Sequence, residues 1–308
     1  MITVAGISPS LDITYRVDDF QLGEIHRPTD VLRCAGGKSL NMARAARRIG
    51  AEVHLVGIFG GGTGAWLVEA LKADGISVDA VDVPTETRTC VSIASASSGV
   101  MTEVYENAPT FDEATWSALV GELGRDLANR PGWLSISGSA PSGLPDTALA
   151  DLVRLGADAG VKVAVDTHSA ALPAAVAAHP ALVKVNRSEA ATLLGVPADG
   201  DLVAMAQQVH ADSGALVVLT DGADGAVATD GTTTVRATLE QVRGSYPVGS
   251  GDSFLGGLVT ELDRGADLSV ALTTAMAFGT ANALEPGPAL FDSERVHELS
   301  AAVRITEA

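Results

Sequence analysis

The fold is decided between residues 161 and 220, where the chain reads VKVAVD (161–166), LVKVN (182–186) and ALVVLT (215–220). Each run is apolar and has the length of a strand, and helical patterns at 169–178 and 202–213 separate them. Strands that alternate with helices in this way are joined by right-handed crossovers, which place them parallel in one sheet with helices on both faces. The segment therefore predicts an α/β fold with a mainly parallel sheet.

The same alternation continues on both sides of this segment. Further strands are predicted at 2–8, 54–59 and 134–137, a hairpin at 226–236, and helices at 40–49, 63–74, 146–159, 252–264, 268–284 and 293–303. Two polar stretches at 9–34 and 86–109 do not fit the alternation, because their strand-like pieces lack intervening helices. They predict a small β layer beside a core made of residues 1–8, 35–85 and 110–308.

Composition limits the classes of partner. The 308 residues include 20 Lys and Arg against 38 Asp and Glu, a formal net charge of −18. A chain this acidic repels polyanions, which argues against binding to nucleic acid and to anionic membranes. The apolar runs are too short for a membrane span, and the N-terminus does not resemble a signal peptide. Two cysteines, Cys34 and Cys90, are too few for a disulfide scaffold, so we expect a reduced protein of the cytoplasm.

A glycine-rich turn, PVGSGDSFLGG at residues 247–257, opens a predicted helix. Free backbone N–H groups at a helix N-terminus bind phosphate, and Gly249 and Gly251 let the backbone approach it closely. Asp252 lies in the first turn, where it can take the proton of an acceptor hydroxyl, although a helix N-terminus lowers the pKa of a carboxylate. The arrangement suits phosphoryl transfer. A simple capping turn, with Asp252 stabilising the helix dipole, explains the local pattern equally well.

A second glycine pair, Gly36 and Gly37, precedes a predicted helix that begins near Lys38 and contains Asn41. Sugar hydroxyls need donors and acceptors that are rigidly placed, and amide side chains and glycine backbone groups supply both. The segment is therefore a candidate sugar site. The alternative is an ordinary junction of loop and helix with a solvated lysine.

Three polar residues, Lys184, Asn186 and Glu189, lie at the end of an apolar run. Asn186 and Glu189 are three residues apart, so they face the same side of a helix start and could hold water around Mg²⁺. Lys184 could reach a nucleotide phosphate. A helix cap explains the same pattern equally well.

The strongest rival class is an NAD-dependent oxidoreductase. The stretch GGGTGA at 60–65 satisfies the dinucleotide fingerprint, and Asp79 and Asp82 lie near the expected distance. However, this fingerprint usually follows the first strand of its unit, and here a strand and a helix already precede it. An oxidoreductase would also leave the turn at 249–252 without a function. Three other classes are excluded. The spacing of the six histidines does not suit a metal site, and the absence of a Gly-x-Ser-x-Gly elbow leaves a serine hydrolase without a nucleophile. A P-loop kinase is excluded because Leu32 occupies the position of the first glycine of a Walker loop.

Taken together, these segments resemble the ribokinase-like (PfkB) carbohydrate kinases, and within them the branch around 1-phosphofructokinase and tagatose-6-phosphate kinase. The resemblance covers nearly the whole chain in order. The matching stretches are Ser8–Asp12, Gly36–Lys38 with Asn41, Thr87-Arg88, Ser137–Gly143, Val183-Lys184 with Asn186 and Glu189, Thr220–Ala226 and Gly249–Asp252.

The resemblance implies a three-layer α/β/α core that binds ATP and Mg²⁺, and a small β-sheet lid, formed by 9–34 and 86–109, that closes over the sugar. Closure of such a lid excludes water and limits wasteful hydrolysis of ATP. The resemblance also implies a homodimer formed through the lids.

Site residues are carried over from the family by position. Sugar hydroxyls would be bound by Asp12, Gly36, Gly37 and Asn41, and the phosphate already on the sugar by Lys38, Arg88 and Ser139. ATP would be bound by Lys184, Asn186, Glu189, Thr220, Gly222 and Gly225, with Glu189 holding Mg²⁺ through water. The anion hole would be formed by Gly249, Ser250 and Gly251, beside the catalytic base Asp252.

The predicted substrate is a ketohexose phosphate, because the planar fork of Arg88 beside Lys38 suits a phosphate better than a neutral hydroxyl. Fructose 1-phosphate, phosphorylated at O6, is the first candidate. Tagatose 6-phosphate or fructose 6-phosphate, phosphorylated at O1, is the second, and an unphosphorylated sugar or a nucleoside is the third. Four positions depart from the family pattern, namely Ser8, Ser39, Asp221 and Tyr246.

Overall fold

A computed structural model of the chain describes residues 1–240 and 242–308 and arranges their strands in two sheets. The strands are β1 (Ile2–Gly6), β2 (Ser10–Val17), β3 (Asp30–Gly36), β4 (Val53–Gly60), β5 (Ser77–Val83), β6 (Thr89–Ser95), β7 (Met101–Tyr105), β8 (Trp133–Ser137), β9 (Lys162–Asp166), β10 (Leu182–Asn186), β11 (Leu216–Thr220), β12 (Ala226–Thr229), β13 (Thr234–Thr238) and β14 (Arg304–Glu307). The helices are α1 (Lys38–Arg48), α2 (Gly61–Ala73), α3 (Glu113–Asn129), α4 (Ala148–Asp158), α5 (Ala171–Ala177), α6 (Arg187–Leu194), α7 (Leu202–Ser213), α8 (Ser250–Asp263), α9 (Leu268–Leu284) and α10 (Ser293–Ala302).

The large sheet has the strand order β14-β13-β12-β11-β10-β9-β8-β1-β4-β5. Its strands from β11 to β5 are parallel, and β12, β13 and β14 continue it antiparallel at one edge. Asn186 pairs with Thr220, so β10 and β11 end at the same edge of the sheet. The predicted mainly parallel sheet is confirmed.

Helices cover both faces of this sheet. Because successive side chains of each strand point to opposite faces, the two sets of contacts can be told apart along one strand. Ile2 and Val4 of β1 pack into a cluster with α1, α2, α8, α9 and α10, whereas Ala5 packs on the other face with α3, α4 and α5. Helices α6 and α7 cover the same second face farther along the sheet, against Val183 and Val185. The α/β/α layering is therefore confirmed. None of the helices in the described ranges is both long and apolar enough to span a bilayer.

The small sheet has the order β3-β2-β6-β7. Its outer pairs are antiparallel and its central pair, β2 with β6, is parallel. Asp12 lies opposite Cys34 on one side and Cys90 on the other, so these three side chains share one face of the sheet. The separate β layer predicted from the two polar stretches is confirmed, and its strand β3 continues two residues past the predicted limit, to Gly36.

Among the strands and α-helices, β5, α3 and β14 were not predicted, and of α6 only the start was. For α3 the signal was present, since Trp116, Leu119, Leu123 and Leu127 follow a helical spacing and are buried, and Asp112 caps the first turn. Strands β5 and β14 are edge strands whose exposed and half-exposed residues give no apolar run. Strand β13, at Thr234–Thr238, extends two residues past the end of the predicted hairpin.

Candidate active site

A cleft of about 480 Å³ opens where β9, β10 and β11 end beneath the small sheet. Ligands of open parallel sheets bind at this edge, beyond the carboxyl ends of the strands. The cleft is lined by Ser10, Asp12, Gly37, Lys38, Asn41, Arg88, Cys90, Tyr105, Asp166, Lys184, Asn186, Glu189, Thr220, Gly222 and all six residues from Pro247 to Asp252. Most of the predicted site residues are thus brought together.

The glycine-rich turn forms the N-terminus of α8, as predicted. Gly249 has a left-handed backbone with φ 80°, and no side chain caps the helix. The N–H groups of Ser250 and Ser253 donate to backbone carbonyls, whereas the helix supplies no acceptor for those of Gly251 and Asp252. A Cβ at Gly251 would lie 2.9 Å from Lys184 Nζ, so glycine lets the lysine approach the turn. The turn can therefore bind an anion.

Asp252 is a buried carboxylate that accepts a hydrogen bond from Asn41 Nδ2 at 2.9 Å. Burial raises its pKa to about 6, the charge of Asp166 adds to the rise, and Asn41 and two lysines oppose it. The expected lowering of this pKa by the helix N-terminus is thus outweighed by burial. A carboxylate with a pKa close to neutrality suits a general base.

Asp166, at the end of β9, joins the two lysines of the site. Its carboxylate oxygens lie 3.3 Å from Lys38 Nζ and 2.7 Å from Lys184 Nζ. Burial alone would raise the pKa of Asp166, but the two ammonium groups outweigh it and hold the pKa below its usual value. Asp166 was not among the predicted site residues. The available signal was its place, because a carboxylate at the carboxyl end of a buried strand faces the cleft.

Asn186 and Glu189 form a capping box at the start of α6, as the alternative interpretation held. Asn186 Oδ1 accepts from the Glu189 N–H at 2.9 Å, and Glu189 Oε2 accepts from the Asn186 N–H at 2.8 Å. The second oxygen, Oε1, lies 4.0 Å from Lys38 Nζ and faces the cleft. One residue therefore caps the helix and also places a carboxylate oxygen in the site.

Asp12 lies on the floor of the small sheet and accepts a hydrogen bond from Ser10 Oγ at 2.6 Å. Burial raises the pKa of Asp12. A Cβ at Gly36 would lie 2.0 Å from Asp12 Cγ, so glycine at this position leaves room for the Asp12 carboxylate; Gly36 itself does not line the cleft. Gly37 has φ 92°, which carries the chain from the small sheet into α1.

Arg88 extends into the cleft from the start of β6. Its guanidinium donates to the carbonyl oxygens of Glu106 and Ser8, at 3.3 and 3.5 Å. Ser8, one of the four departures, thus contributes a main-chain carbonyl. Among the described residues, the charge of Arg88 is not paired with a carboxylate, whereas that of Lys38 is.

Ser139 and the three remaining departures lie outside the cleft. Ser139 is exposed and its Oγ lies 3.3 Å from His168 Nε2. Ser39 is buried, and Tyr246 lines a small cavity beneath the small sheet. Asp221 forms a two-pronged ion pair with Arg187, with both distances 2.7 Å.

A second cavity of about 290 Å³ adjoins the cleft and is mainly apolar. The two share the walls formed by Thr220, Gly222, Pro247, Ser250 and Gly251. The remaining lining residues are Ala223, Gly225, Val242, Arg243, Gly244, Phe254, Met276, Gly279, Thr280 and Ala283. A flat apolar ring such as a nucleobase fits this composition.

The glycine stretch at 60–65 is already occupied by the chain itself. Glu86 Oε1 accepts the Thr63 N–H at 2.6 Å, and a Cβ at Gly61 would lie 1.9 Å from Glu86 Oε2. A carboxylate thus fills the helix N-terminus at which a dinucleotide would place its pyrophosphate. This geometry counts against the oxidoreductase class.

Comparison with known proteins agrees with this geometry. Residues 2–294 match the model of the pfkB family carbohydrate kinases. Phosphofructokinase-2 from Escherichia coli in complex with potassium is 26% identical, with 97% of this chain and 98% of that chain covered and a TM-score of 0.90. The same enzyme in complex with fructose-6-phosphate is 25% identical over the same shares, with a TM-score of 0.88.

A protein from Thermotoga maritima, described as a possible 1-phosphofructokinase, shares the fold. It is 22% identical, with 100% of this chain and 99% of that chain covered and a TM-score of 0.91. The resemblance drawn from the sequence motifs is confirmed by the match along nearly the whole chain. The chain belongs to the pfkB family of carbohydrate kinases.

Proposed function

We propose that the protein transfers the γ-phosphoryl group of ATP to a hydroxyl of a ketohexose phosphate. The first candidate reaction converts fructose 1-phosphate to fructose 1,6-bisphosphate, and the second phosphorylates tagatose 6-phosphate or fructose 6-phosphate at O1. The observation that carries the proposal is the position of Asp252, which shares one cleft with the N-terminal turn of α8, two lysines and an arginine. The base and the anion-binding groups can therefore contact ATP and the ketohexose phosphate in the same cleft.

Asp252 acts as the base for the acceptor hydroxyl. Asn41 holds the carboxylate by its Oδ2 atom, which leaves Oδ1 to accept the proton. The N–H groups of Gly251 and Asp252 bind the oxygens of the phosphoryl group in transfer, and the Lys38 and Lys184 ammonium groups add positive charge there. Charge stabilisation and positioning are the main sources of catalysis in phosphoryl transfer.

Mg²⁺ fits the nucleotide side of this cleft. Glu189 Oε1 faces the cleft, while Oε2 is used by the helix cap. Mg²⁺ prefers oxygen ligands and usually keeps several of its water ligands. Glu189 would hold the ion through water. When bound, the ion neutralises charge on the nucleotide phosphates.

Arg88 favours a phosphorylated acceptor. Its two hydrogen bonds go to carbonyl oxygens, so its charge remains available to an anion. Lys38 is different, because its ammonium group lies beside Asp166 and Glu189. We therefore propose that Arg88 is the main contact of the sugar phosphate, with Lys38 beside it as the second contact that the sequence predicts. Ser139 lies outside the cleft, so its predicted contact with the sugar phosphate has no counterpart in this geometry.

The reaction is tested by measuring ADP release with fructose 1-phosphate, tagatose 6-phosphate, fructose 6-phosphate and the corresponding free sugars. We expect release with at least one ketohexose phosphate and at least tenfold lower kcat/KM for its free sugar, since a charged hydrogen-bonded pair contributes about 1.5–3 kcal/mol. Release only with free sugars or nucleosides would contradict the proposed substrate class. Stabilisation by NADH and not by ATP would contradict the kinase itself.

A homodimer formed through the small sheet is also proposed. On the face opposite Asp12, the register aligns Ile13 with Val91, Val91 with Val104, and Tyr15 with Ile93. The centre of this outer face is apolar, with Arg33 and Thr102 on its two outer strands, and Val104 is 61% exposed. Exposed apolar patches of this kind mark interaction surfaces. A second copy of the chain presents the same surface and can cover it about a twofold axis.

We also place the protein in the cytoplasm. Cys34 and Cys90 are both buried and unpaired, on either side of Asp12. Burial raises the pKa of the Cys34 thiol to about 11, so it stays protonated and unreactive. Two free thiols, of which Cys90 lines the cleft, are typical of a protein in a reducing compartment.

A further inference from the structure

Asn282 of α9 is a fully buried amide whose hydrogen-bonding capacity is all used. Nδ2 donates to the Val248 carbonyl at 2.7 Å and to Ser250 Oγ at 3.2 Å. Oδ1 accepts from Ser253 Oγ at 3.0 Å and from the Ala289 N–H at 2.7 Å. An amide has two donors and two acceptor lone pairs, so all four positions are satisfied at 0% exposure.

These four bonds surround the N-terminal turn of α8. Val248 and Ser250 lie at the start of this glycine-rich segment, and Ser253 lies in the first turn of α8. The turn lacks a capping side chain of its own, because its N-cap is Gly249. Glycine residues give the backbone freedom, which must be restricted if the N–H groups are to keep a fixed direction. Asn282 supplies this restriction from the neighbouring helix.

The other side of Asn282 holds the segment that packs against the turn. Ala289 has a positive φ of 55°, and its N–H is fixed by Asn282 Oδ1. Pro288, the residue before it, is the near neighbour of the turn, since a Cβ at Gly249 would lie 2.5 Å from Pro288 Cβ. One side chain thus fixes both the turn and the segment against which the turn rests.

We propose that Asn282 is a positioning residue for phosphoryl transfer. It touches neither substrate, and it acts by holding the Gly251 and Asp252 N–H groups and the Asp252 carboxylate in one orientation. This inference rests on the proposed kinase activity for its catalytic consequence. The fixed turn itself does not depend on which sugar is the acceptor.

The test uses Asn282→Ala, which removes all four bonds, and Ser253→Ala, which removes one bond and leaves the amide in place. Leu272→Ala is the matched control, because Leu272 is buried in the same helix and its truncation lowers stability without touching the turn. Two quantities are measured at a temperature where all variants are folded. One is the hydrogen exchange of the amides of residues 250 and 253, which are the hydrogen-bonded amides of the turn, and the other is kcat with KM for both substrates.

We expect Asn282→Ala to lower kcat about a hundredfold, the effect of misplacing a catalytic group by an ångström, with each KM within about threefold of the parent. Ser253→Ala loses one hydrogen bond and should lower kcat about fivefold. Exchange in the turn should be faster in both variants and unchanged in Leu272→Ala. If Asn282 contributed only to overall stability, Leu272→Ala would change the turn exchange and kcat by the same amount as Asn282→Ala.

Exchange and kcat in both variants that match the Leu272→Ala control would overturn the proposal. If Asn282→Ala does not fold, the Ser253→Ala variant decides the question by the same two measurements. A parent protein that releases no ADP with any acceptor would refute the kinase function, while turn exchange would still show whether Asn282 holds the turn. The two failures are therefore distinguishable.

Discussion

Asp252 is a carboxylate whose protonation controls the proposed reaction. Burial raises its pKa to about 6, and only the ionised form accepts a proton. We expect kcat to rise with pH through about 6 and then to level off. Asp252→Asn should lower kcat by about two to four orders of magnitude, while ATP still raises the Tm. The control is Glu261→Gln, on the same helix but outside the cleft; a flat pH profile from 5 to 8 would remove Asp252 from the mechanism.

The same residue has an opposite effect on stability. Its folded pKa of about 6 exceeds the ordinary 3.8, so the native state binds the proton more tightly than the unfolded chain. The free energy of unfolding therefore falls as pH rises from about 4 to 6, and the ionised carboxylate destabilises the protein above that range. Asp252→Asn should consequently have a higher Tm than the parent at pH 8. The difference in Tm should vanish toward pH 4. A lower Tm of Asp252→Asn than of the parent at pH 8 would show that burial of the ionised carboxylate does not destabilise the protein.

Arg88 should affect the acceptor more than the nucleotide. Arg88→Lys keeps the charge but loses the planar fork, so we expect KM for the sugar phosphate to rise at least tenfold, since a bond to a charged group is worth about 1.5–3 kcal/mol. KM for ATP should stay within about twofold of the parent. Steady-state kinetics with each substrate varied in turn provide the measurement. Equal changes in both KM values would show that Arg88 does not bind the sugar phosphate.

Between elements, the Arg187–Asp221 pair joins the start of α6 to the end of β11. Arg187 also donates to the carbonyl oxygens of Ala198 and Gly200. Asp221 lies between Thr220 and Gly222, which line both cavities. Asp221→Leu should therefore raise KM for ATP several-fold and lower the free energy of unfolding by about 1 kcal/mol, because the pair is partly exposed. Asp151→Asn, in an exposed pair on α4, should change neither; an unaltered KM in Asp221→Leu would show that the pair does not shape the nucleotide site.

Periodicity predicted the elements that bury a continuous face. Strand β10 and helices α7 and α9 begin and end at the predicted residues, because their apolar patterns are bounded by capping residues such as Asp201 and Asp267. Strand β14 has only four residues and depends on its pairing with β13, a contact that local sequence does not encode. Helix α6 was recognised only as a cap because it has eight residues.

In the site, glycine turns were easier to predict than charge partners. The motif from Gly249 to Asp252 is contiguous in sequence, so its geometry could be inferred from backbone chemistry. The contacts of Asp166 and Asn282 join residues that are far apart in sequence, including 128 positions between Lys38 and Asp166. Such pairs follow from strand order and helix packing, which the local pattern does not determine.

For the whole molecule, the outer face of the small sheet governs the proposed assembly. Ile93→Lys places a charge in the middle of this face, and we expect it to convert a dimer to a monomer, since a buried unpaired charge is strongly unfavourable. Val100→Lys, in the exposed turn between β6 and β7, is the control and should remain dimeric. Light scattering after gel filtration gives the mass; a monomeric parent or a dimeric Ile93→Lys would contradict this interface.

The partition common to the two cavities, made of Thr220, Gly222, Pro247, Ser250 and Gly251, has a practical consequence for inhibitor chemistry. A single compound that links an aromatic base through a short anionic spacer to a polyol would occupy both compartments at once. Tethering turns the second contact into an intramolecular event, so such a bisubstrate compound should bind more tightly than either fragment.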